Sequence, residues 1–170
     1  MKSKIEIEKI AELTGHNGGI YTLEPTSNPR FFLSGAGDGW IVQWDLEEPG
    51  LGKLLAKVET QIFTLKYLEE LNLVIAGNMN GGVHWIDLQN PDRALNIAHH
   101  KKGVFGIERI DNHVFTIGGD GVLTKWSIED KRTLESLQLS YENLRSIQYI
   151  ASRIAQVNGA CDNKIYFVDA

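Results

Sequence analysis

Ser34, His16 and Asp38 are the residue types of an acyl-transfer triad, and beside them Gly35, Gly37 and Gly39 alternate as glycines do where a backbone wraps a phosphate. The phosphate reading fails on spacing. A dinucleotide fingerprint needs its third glycine at position 40, which is Trp40, and needs a helix after it so that backbone N–H groups face the pyrophosphate. The stretch after Gly39, "WIVQWDL", is β-branched and aromatic with no polar face at helical period, which predicts a strand. A metal site fares no better. His99 and His100 are adjacent, so on a strand their side chains point to opposite faces. Neither His84 nor His113 supplies a second ligand at metal spacing, and one cysteine does not make a zinc site. No cofactor and no metal are expected. Cys161 reads as a small packing residue rather than a nucleophile.

The elements that hold these residues are set by composition and periodicity. The chain has 170 residues, 42% hydrophobic, with a net charge of −5, enough apolar material for one packed domain or a piece of a larger one. No apolar run approaches the roughly 18 residues of a spanning helix, and the opening "MKSKIEIEKIAEL" is neither a signal nor a transit peptide. The charge is mild and unblocked, and "HHKK" (99–102) reads as a solvated loop, so neither nucleic acid nor membrane is an expected partner. The single cysteine fits a reducing compartment, and the expected location is cytoplasmic.

Internal repeats decide the architecture. "GAGDGWIVQWDL" (35–46) is echoed by "GNMNGGVHWIDL" (77–88), "GGDGVLTKWSI" (118–128) and "ACDNKIYFVDA" (160–170), with turn residues Asp38, Asn80, Asp120 and Asp162 spaced 42, 40 and 42 apart. Upstream, "IYTL" (20–23), "IFTL" (62–65), "VFGI" (104–107) and "LRSI" (144–147) keep the same period. Each Asp-Gly or Asn-Gly pair suits a two-residue hairpin, Asp162–Asn163 being a weaker version. A further strand precedes each unit: "IEKIAELTG", "KLLAKV", "ALNIAHH" and "TLESLQL". "YLEELNL" (67–73) reads as strand, turn and strand. Four strands per repeat of 40–45 residues predict an all-β propeller of four-stranded antiparallel blades. The blades are expected at about 9–46, 52–88, 94–128 and 133–170.

These residues resemble the WD-repeat β-propeller family. The first repeat carries Thr14, Gly15 and His16, then Ser34, Asp38 and the dipeptide Trp44–Asp45. The resemblance implies a structural hydrogen-bond network in which a histidine reaches the turn carboxylate and a hydroxyl, and the hydroxyl accepts from the tryptophan indole. Carried over, the network is His16, Asp38, Ser34 and Trp44 in the first repeat and His100, Asp120, Thr116 and Trp126 in the third. The second repeat departs with Val58, Asn80, Ala76 and Ile86, and the fourth with Ser140, Asp162, Asn158 and Val168. A serine facing a tryptophan has no open site beside it, and an enzyme rarely builds its triad twice, so the set reads as structural and the chain as a non-enzyme.

The resemblance also implies where partners bind. The residues just after the first apolar residue of each inner strand are Tyr21, Phe63, Phe105 and Arg145. Those preceding the strands are Gly19, Gln61, Gly103 and Asn143, and those preceding the turn residue are Gly37, Met79, Gly119 and Cys161. Aromatics and arginine dominate interface hot spots. Large residues on inner strands also pack between blades, and alternation alone does not say which face is wet. The expected function is a protein or peptide interaction scaffold; the alternative is a propeller enzyme or small-ligand binder with a site at the channel mouth. The inner-strand stretches hold one arginine and no carboxylate or histidine, which favours the scaffold. The resemblance finally implies that the strand at 4–13 completes the last blade and closes the ring. It would do so between two chains, within a longer propeller, or least readily within one four-bladed ring. Self-association into a dimeric ring is expected, since an open arc exposes apolar faces and a strand edge.

Overall fold

The structure, a computed structural model, describes residues 7–150, 154–159 and 164–169. Cys161, Asp162 and Asn163 and part of the 4–13 segment lie outside the described residues. Fifteen strands are described: β1 Ile20–Pro25, β2 Phe31–Ala36, β3 Trp40–Asp45, β4 Lys53–Lys57, β5 Ile62–Leu68, β6 Leu73–Asn78, β7 Gly82–Asp87 and β8 Leu95–Ala98. They continue with β9 Val104–Ile110, β10 His113–Gly118, β11 Val122–Ser127, β12 Thr133–Gln138, β13 Leu144–Ile150, β14 Ile154–Gly159 and β15 Ile165–Asp169. They form three antiparallel sheets of four strands, β1–β4, β5–β8 and β9–β12, and one of three, β13–β15. The all-β blade architecture read from the repeats is the observed one. "YLEELNL" is a strand, a short 3-10 turn at Glu69–Leu71 and a strand.

Sheets and sequence repeats are out of phase by one strand. "KLLAKV" does not open the second sheet; β4 pairs with β3 and is the outer strand of blade 1, as β8 is of blade 2 and β12 of blade 3. Each sheet therefore begins at an inner strand, at residues 20, 62, 104 and 144. Residues 7–19 lie in no strand, and among the described residues β15 is the outermost strand of blade 4.

The hairpins also differ from the two-residue turn expected. Three residues connect β2 to β3, β6 to β7 and β10 to β11, and only the glycines Gly39, Gly81 and Gly121 have positive φ, at 75°, 87° and 78°. This is a turn closed by a left-handed residue. The glycine is required on two counts, because a Cβ at Gly39 would also stand 2.2 Å from the Val58 carbonyl oxygen. The residue before each glycine, Asp38, Asn80 or Asp120, is not in the positive-φ region.

The core lies between blades. Leu33 and Ile41 of blade 1 meet Ile62, Leu65, Val74, Ala76 and Ile86 of blade 2. Ile75, Val83 and Trp85 meet Val104, Ile107, Val114 and Trp126 across the next junction. Ile110, Phe115, Ile117 and Leu123 meet Leu144 and Ile147 across the third. Each fully buried side chain of this size contributes about 1.5–3 kcal/mol. The inner strands pack in the order β1, β5, β9, β13, and no comparable packing joins β13 to β1 among the described residues. The described blades make an arc.

Candidate functional site

Two polar chains pin alternate blades. In blade 3, Trp126 Nε1 donates to Thr116 Oγ1 at 2.9 Å, Thr116 Oγ1 lies 2.8 Å from His100 Nε2, and His100 Nδ1 lies 3.1 Å from Asp120 Oδ1. Burial pushes the His100 pKa below its ordinary value against the pull of Asp120, so the ring is neutral. A neutral ring with Nδ1–H completes a one-way series: indole to hydroxyl, hydroxyl to Nε2, Nδ1–H to carboxylate. Burial raises the Asp120 pKa, but the Lys101 N–H at 2.8 Å, the His100 ring and the Val122 N–H outweigh it and hold the carboxyl below its usual range. Blade 1 repeats the geometry. Trp44 Nε1 donates to Ser34 Oγ at 2.7 Å, which lies 2.6 Å from His16 Nε2, and His16 Nδ1 is 3.1 Å from Asp38. The Asp38 pKa is raised by burial but lowered more by the N–H groups of Trp40 and Asn17 and by His16. The serine's hydrogen bonds go to an indole and an imidazole, an arrangement that braces three backbone segments.

Blade 2 uses a set that sequence comparison with blade 1 missed. Asn78 Oδ1 accepts from the Asn80 and Gly82 N–H groups at 2.9 and 2.8 Å, and Asn78 Nδ2 donates to His84 Nε2 at 2.8 Å. Burial pushes the His84 pKa down, which leaves Nε2 free to accept. The carrier of the turn is thus Asn78, two residues before Asn80, whose own side chain is exposed. His99 also has a role not read from sequence. Residues 99 and 100 come after β8 rather than lying on it, so the rings do not take opposite faces. They meet edge to face at 5.1 Å, and His99 Nε2 lies 2.8 Å from Thr124 Oγ1. Among the described residues no group of three or more His, Cys, Asp or Glu side chains is placed to hold a metal ion.

Tyr21, Phe63, Phe105 and Arg145 come together in one row. The Tyr21 and Phe63 rings meet edge to face at 5.0 Å, Phe63 stacks on Phe105 at 5.3 Å, and the Arg145 guanidinium lies over the Phe105 ring at 4.1 Å. The four line a surface hollow of about 380 Å³. Tyr21 and Arg145 are exposed, and Phe63 and Phe105 partly so. The backbone explains the placement. Register skips from Ile20 to Thr22, Ile62 to Thr64, Val104 to Gly106 and Leu144 to Ser146, so each member of the row is the extra residue of a β-bulge. A bulge re-aims one side chain out of the alternation of its strand. That turns these four out of the packed face while Ile62, Val104 and Leu144 before them stay buried. The one available sequence signal is the small residue after each, Thr22, Thr64, Gly106 and Ser146.

The flanking positions gather around the row. Gly37, Met79 and Gly119 donate their N–H groups to the carbonyls of Gly19, Gln61 and Gly103 at 2.8, 3.0 and 2.9 Å. Met79 is exposed, and Gln61 and Asn143 are half-buried. A Cβ at Gly119 would lie 2.9 Å from both the Phe105 ring and Asn143 Oδ1, which places Asn143 beside the row. At the other end of the strands a larger groove of about 740 Å³ is lined by Glu70, Leu73, Asp87, Arg109 and His113, with Arg109 already paired to Glu70.

Known proteins agree with this geometry. Residues 7–45 match the family model described as WD domain, G-beta repeat. A computationally designed protein, Ika4, shares the fold at a TM-score of 0.77 and 20% identity, over 96% of this chain and 99% of its own. U3-55K shares it at 0.71 and 14% identity, over 91% of this chain and 53% of its own, and the designed Ika8 at 0.71 and 20%, over 92% and 48%. The chain thus spans nearly all of one neighbour and about half of the other two. The first repeat matches the WD-domain model, and the four successive blades share the fold of WD-repeat β-propellers, the class of protein that this chain resembles.

Proposed function

We propose that this chain is a non-catalytic scaffold that binds a protein or peptide across the row Tyr21, Phe63, Phe105 and Arg145, flanked by Gln61, Met79 and Asn143. The observation that carries the reading is the bulge repeated under all four residues. A side chain needed only for blade packing stays in the alternation of its strand; one lifted out at every repeat is presented. Aromatic rings and an arginine supply large contact area at low entropic cost. Among the described residues, no acid–base or nucleophilic group lines the hollow beside Tyr21, Phe63, Phe105 and Arg145. The triad-like set Ser34, His16 and Asp38 and its blade-3 counterpart Thr116, His100 and Asp120 spend their hydrogen bonds inside their blades. A cytoplasmic setting accompanies this reading.

The test is a pair of substitutions. Phe63→Ala and Arg145→Ala should each weaken capture of a partner peptide at least tenfold, the loss typical of hot-spot truncation at about 2 kcal/mol, while the urea midpoint moves little. If both variants unfold early, the row is packing and the proposal fails.

The scaffold also self-associates in this proposal. Among the described residues the last blade has three strands, which leaves an edge at β15, and residues 7–12 are exposed and lie in no strand, Ile7 and Ile10 among them at 96% and 91% exposure. Strand exchange between two copies, with the 4–13 segment of each completing the last blade of the other, gives both a partner.

A further inference from the structure

The two ends of the arc expose positions that the repeat buries elsewhere. Leu23 in β1 occupies the position that Leu65 and Ile107 hold in blades 2 and 3, where the preceding blade buries them to 4% and 6% exposure; Leu23 is 63% exposed. Ile20 stands where Ile62 and Val104 are fully buried, and is 52% exposed. At the other end, Phe167 and Ile165 in β15 correspond to Trp85 and Val83, which the following blade covers almost completely; they are 66% and 54% exposed. Blade 1 therefore offers the face that receives a preceding blade, and blade 4 the face that receives a following one.

Polar residues at the ends match as well. One ladder runs along the inner strands at equivalent positions, Glu24, Lys66, Glu108 and Gln148. Lys66 Nζ lies 3.5 Å from Glu24 and 3.2 Å from Glu108, so the ladder alternates acceptor and donor across each junction. It ends on an exposed amide donor, Gln148, and begins on a carboxylate, Glu24, with a cation on one side only. The aromatic row has the same polarity: it ends on the Arg145 guanidinium and begins on the exposed ring of Tyr21. One further step of the repeat from blade 4 to a blade 1 sets Gln148 beside Glu24, Arg145 beside Tyr21, and Ile165 and Phe167 on the face holding Ile20 and Leu23.

We propose that a second copy of this chain supplies that blade 1, so that blade 4 of each copy packs head to tail on blade 1 of the other and two arcs close into one eight-bladed ring. The contact is heterologous, made twice about a two-fold axis. Three independent sets of positions, apolar, hydrogen-bonding and cation–aromatic, are complementary between the ends of this one sequence. An unrelated covering partner has no reason to meet that condition. The inference rests on the self-association reading of the proposed function and adds which faces meet.

The experiment uses the full chain, with mass measured by light scattering during size exclusion. The wild type should run at twice 19.0 kDa. Leu23→Asp and Phe167→Asp each alter an exposed residue of the single chain, so each should keep the wild-type circular dichroism yet run as a monomer. Mixing the two variants should restore a dimer, because one of the two junctions then joins unaltered faces. Gln148→Lys, facing Glu24 of the second copy, should tighten association about 2–5-fold and Gln148→Glu should loosen it as much, both effects shrinking in salt. A monomeric wild type would sink self-association itself, with the blade-1 and blade-4 faces then covered by something else or not at all. A wild-type dimer that survives both aspartate substitutions, or fails to re-form on mixing, would leave self-association standing and overturn the head-to-tail contact.

Discussion

Blades 2 and 3 share a fold and a period but are pinned by different means, and the contrast separates what a propeller blade requires from what one repeat happens to use. Blade 3 threads a hydrogen-bond series from Trp126 through Thr116 and His100 to Asp120, crossing three backbone segments. Blade 2 has Ile86 and Ala76, both fully buried, where blade 3 has the tryptophan and the threonine, and it restrains its hairpin with Asn78. The junction between them is common property: Trp85 and Trp126 meet edge to face at 6.1 Å. Burial of a continuous apolar junction is the invariant, and the polar series is an added brace whose every polar atom must be paired once it is present.

Trp126→Ala should break the comparison hardest. It removes a fully buried indole from the junction and one donor from the series, at a cost of about 3–5 kcal/mol in urea unfolding; Trp44→Ala, nearly as buried, should cost a similar amount. Thr116→Val should come next. It restores in blade 3 the apolar character that Ala76 has in blade 2, but leaves Trp126 Nε1 and His100 Nε2 without their partner, at about 1–3 kcal/mol. Asp120→Ala and Asp38→Ala belong to the same range because each strips a buried imidazole of its acceptor. A Thr116→Val chain as stable as the wild type would mean that blade 3 needs no more than blade 2 has.

The pH dependence sharpens the same contrast. His84 in blade 2 and His99 and His100 in blade 3 are all held below their ordinary pKa of 6.5, chiefly by burial, so the unfolded chain binds more protons than the folded one in this range. Stability should rise with pH there and be lost as pH falls below 6.5. Asp38 and Asp120, held below 3.8, add a second loss only as pH falls past that value. Urea midpoints at pH 7.5 and 5.5 should show the first loss, and His84→Gln should reduce it. A midpoint that is flat between those two values would contradict the buried neutral histidines. The smallest effect is expected at Asn80→Ala, within about 0.5 kcal/mol, since its side chain is exposed. If it proves the most damaging of the turn substitutions, the alignment of the repeats is wrong.

The period of Asp38, Asn80 and Asp120 made the number of blades and the all-β class legible, because turn chemistry and strand alternation leave a mark on every repeat. The phase did not show, since nothing in "KLLAKV" says whether it pairs backward or forward; that is decided by the β3–β4 register. Asn78 was hidden for a related reason. Aligning repeats directs attention to Asn80, where Asp38 stands in blade 1, whereas the polar work in blade 2 has moved two residues along the backbone. The row was named from its positions, yet the bulge that presents it is a property of two paired strands, and no single strand's pattern encodes a register skip.

The bulge also sets how freely this surface can change over evolutionary time. A substitution at Ile62 or Val104 is answerable to the neighbouring blade, so folding constrains it. Phe63 and Phe105, one residue along, are bulged out of the alternation and only half-buried, so their identities are less tied to that face. In the proposed scaffold, each repeat thus carries one position where selection acts on recognition with little regard to stability, and each such position adjoins the next. On that proposal, a gene holding these repeats would exchange one specificity for another by rewriting a handful of adjacent surface residues, leaving the instructions for the fold almost untouched.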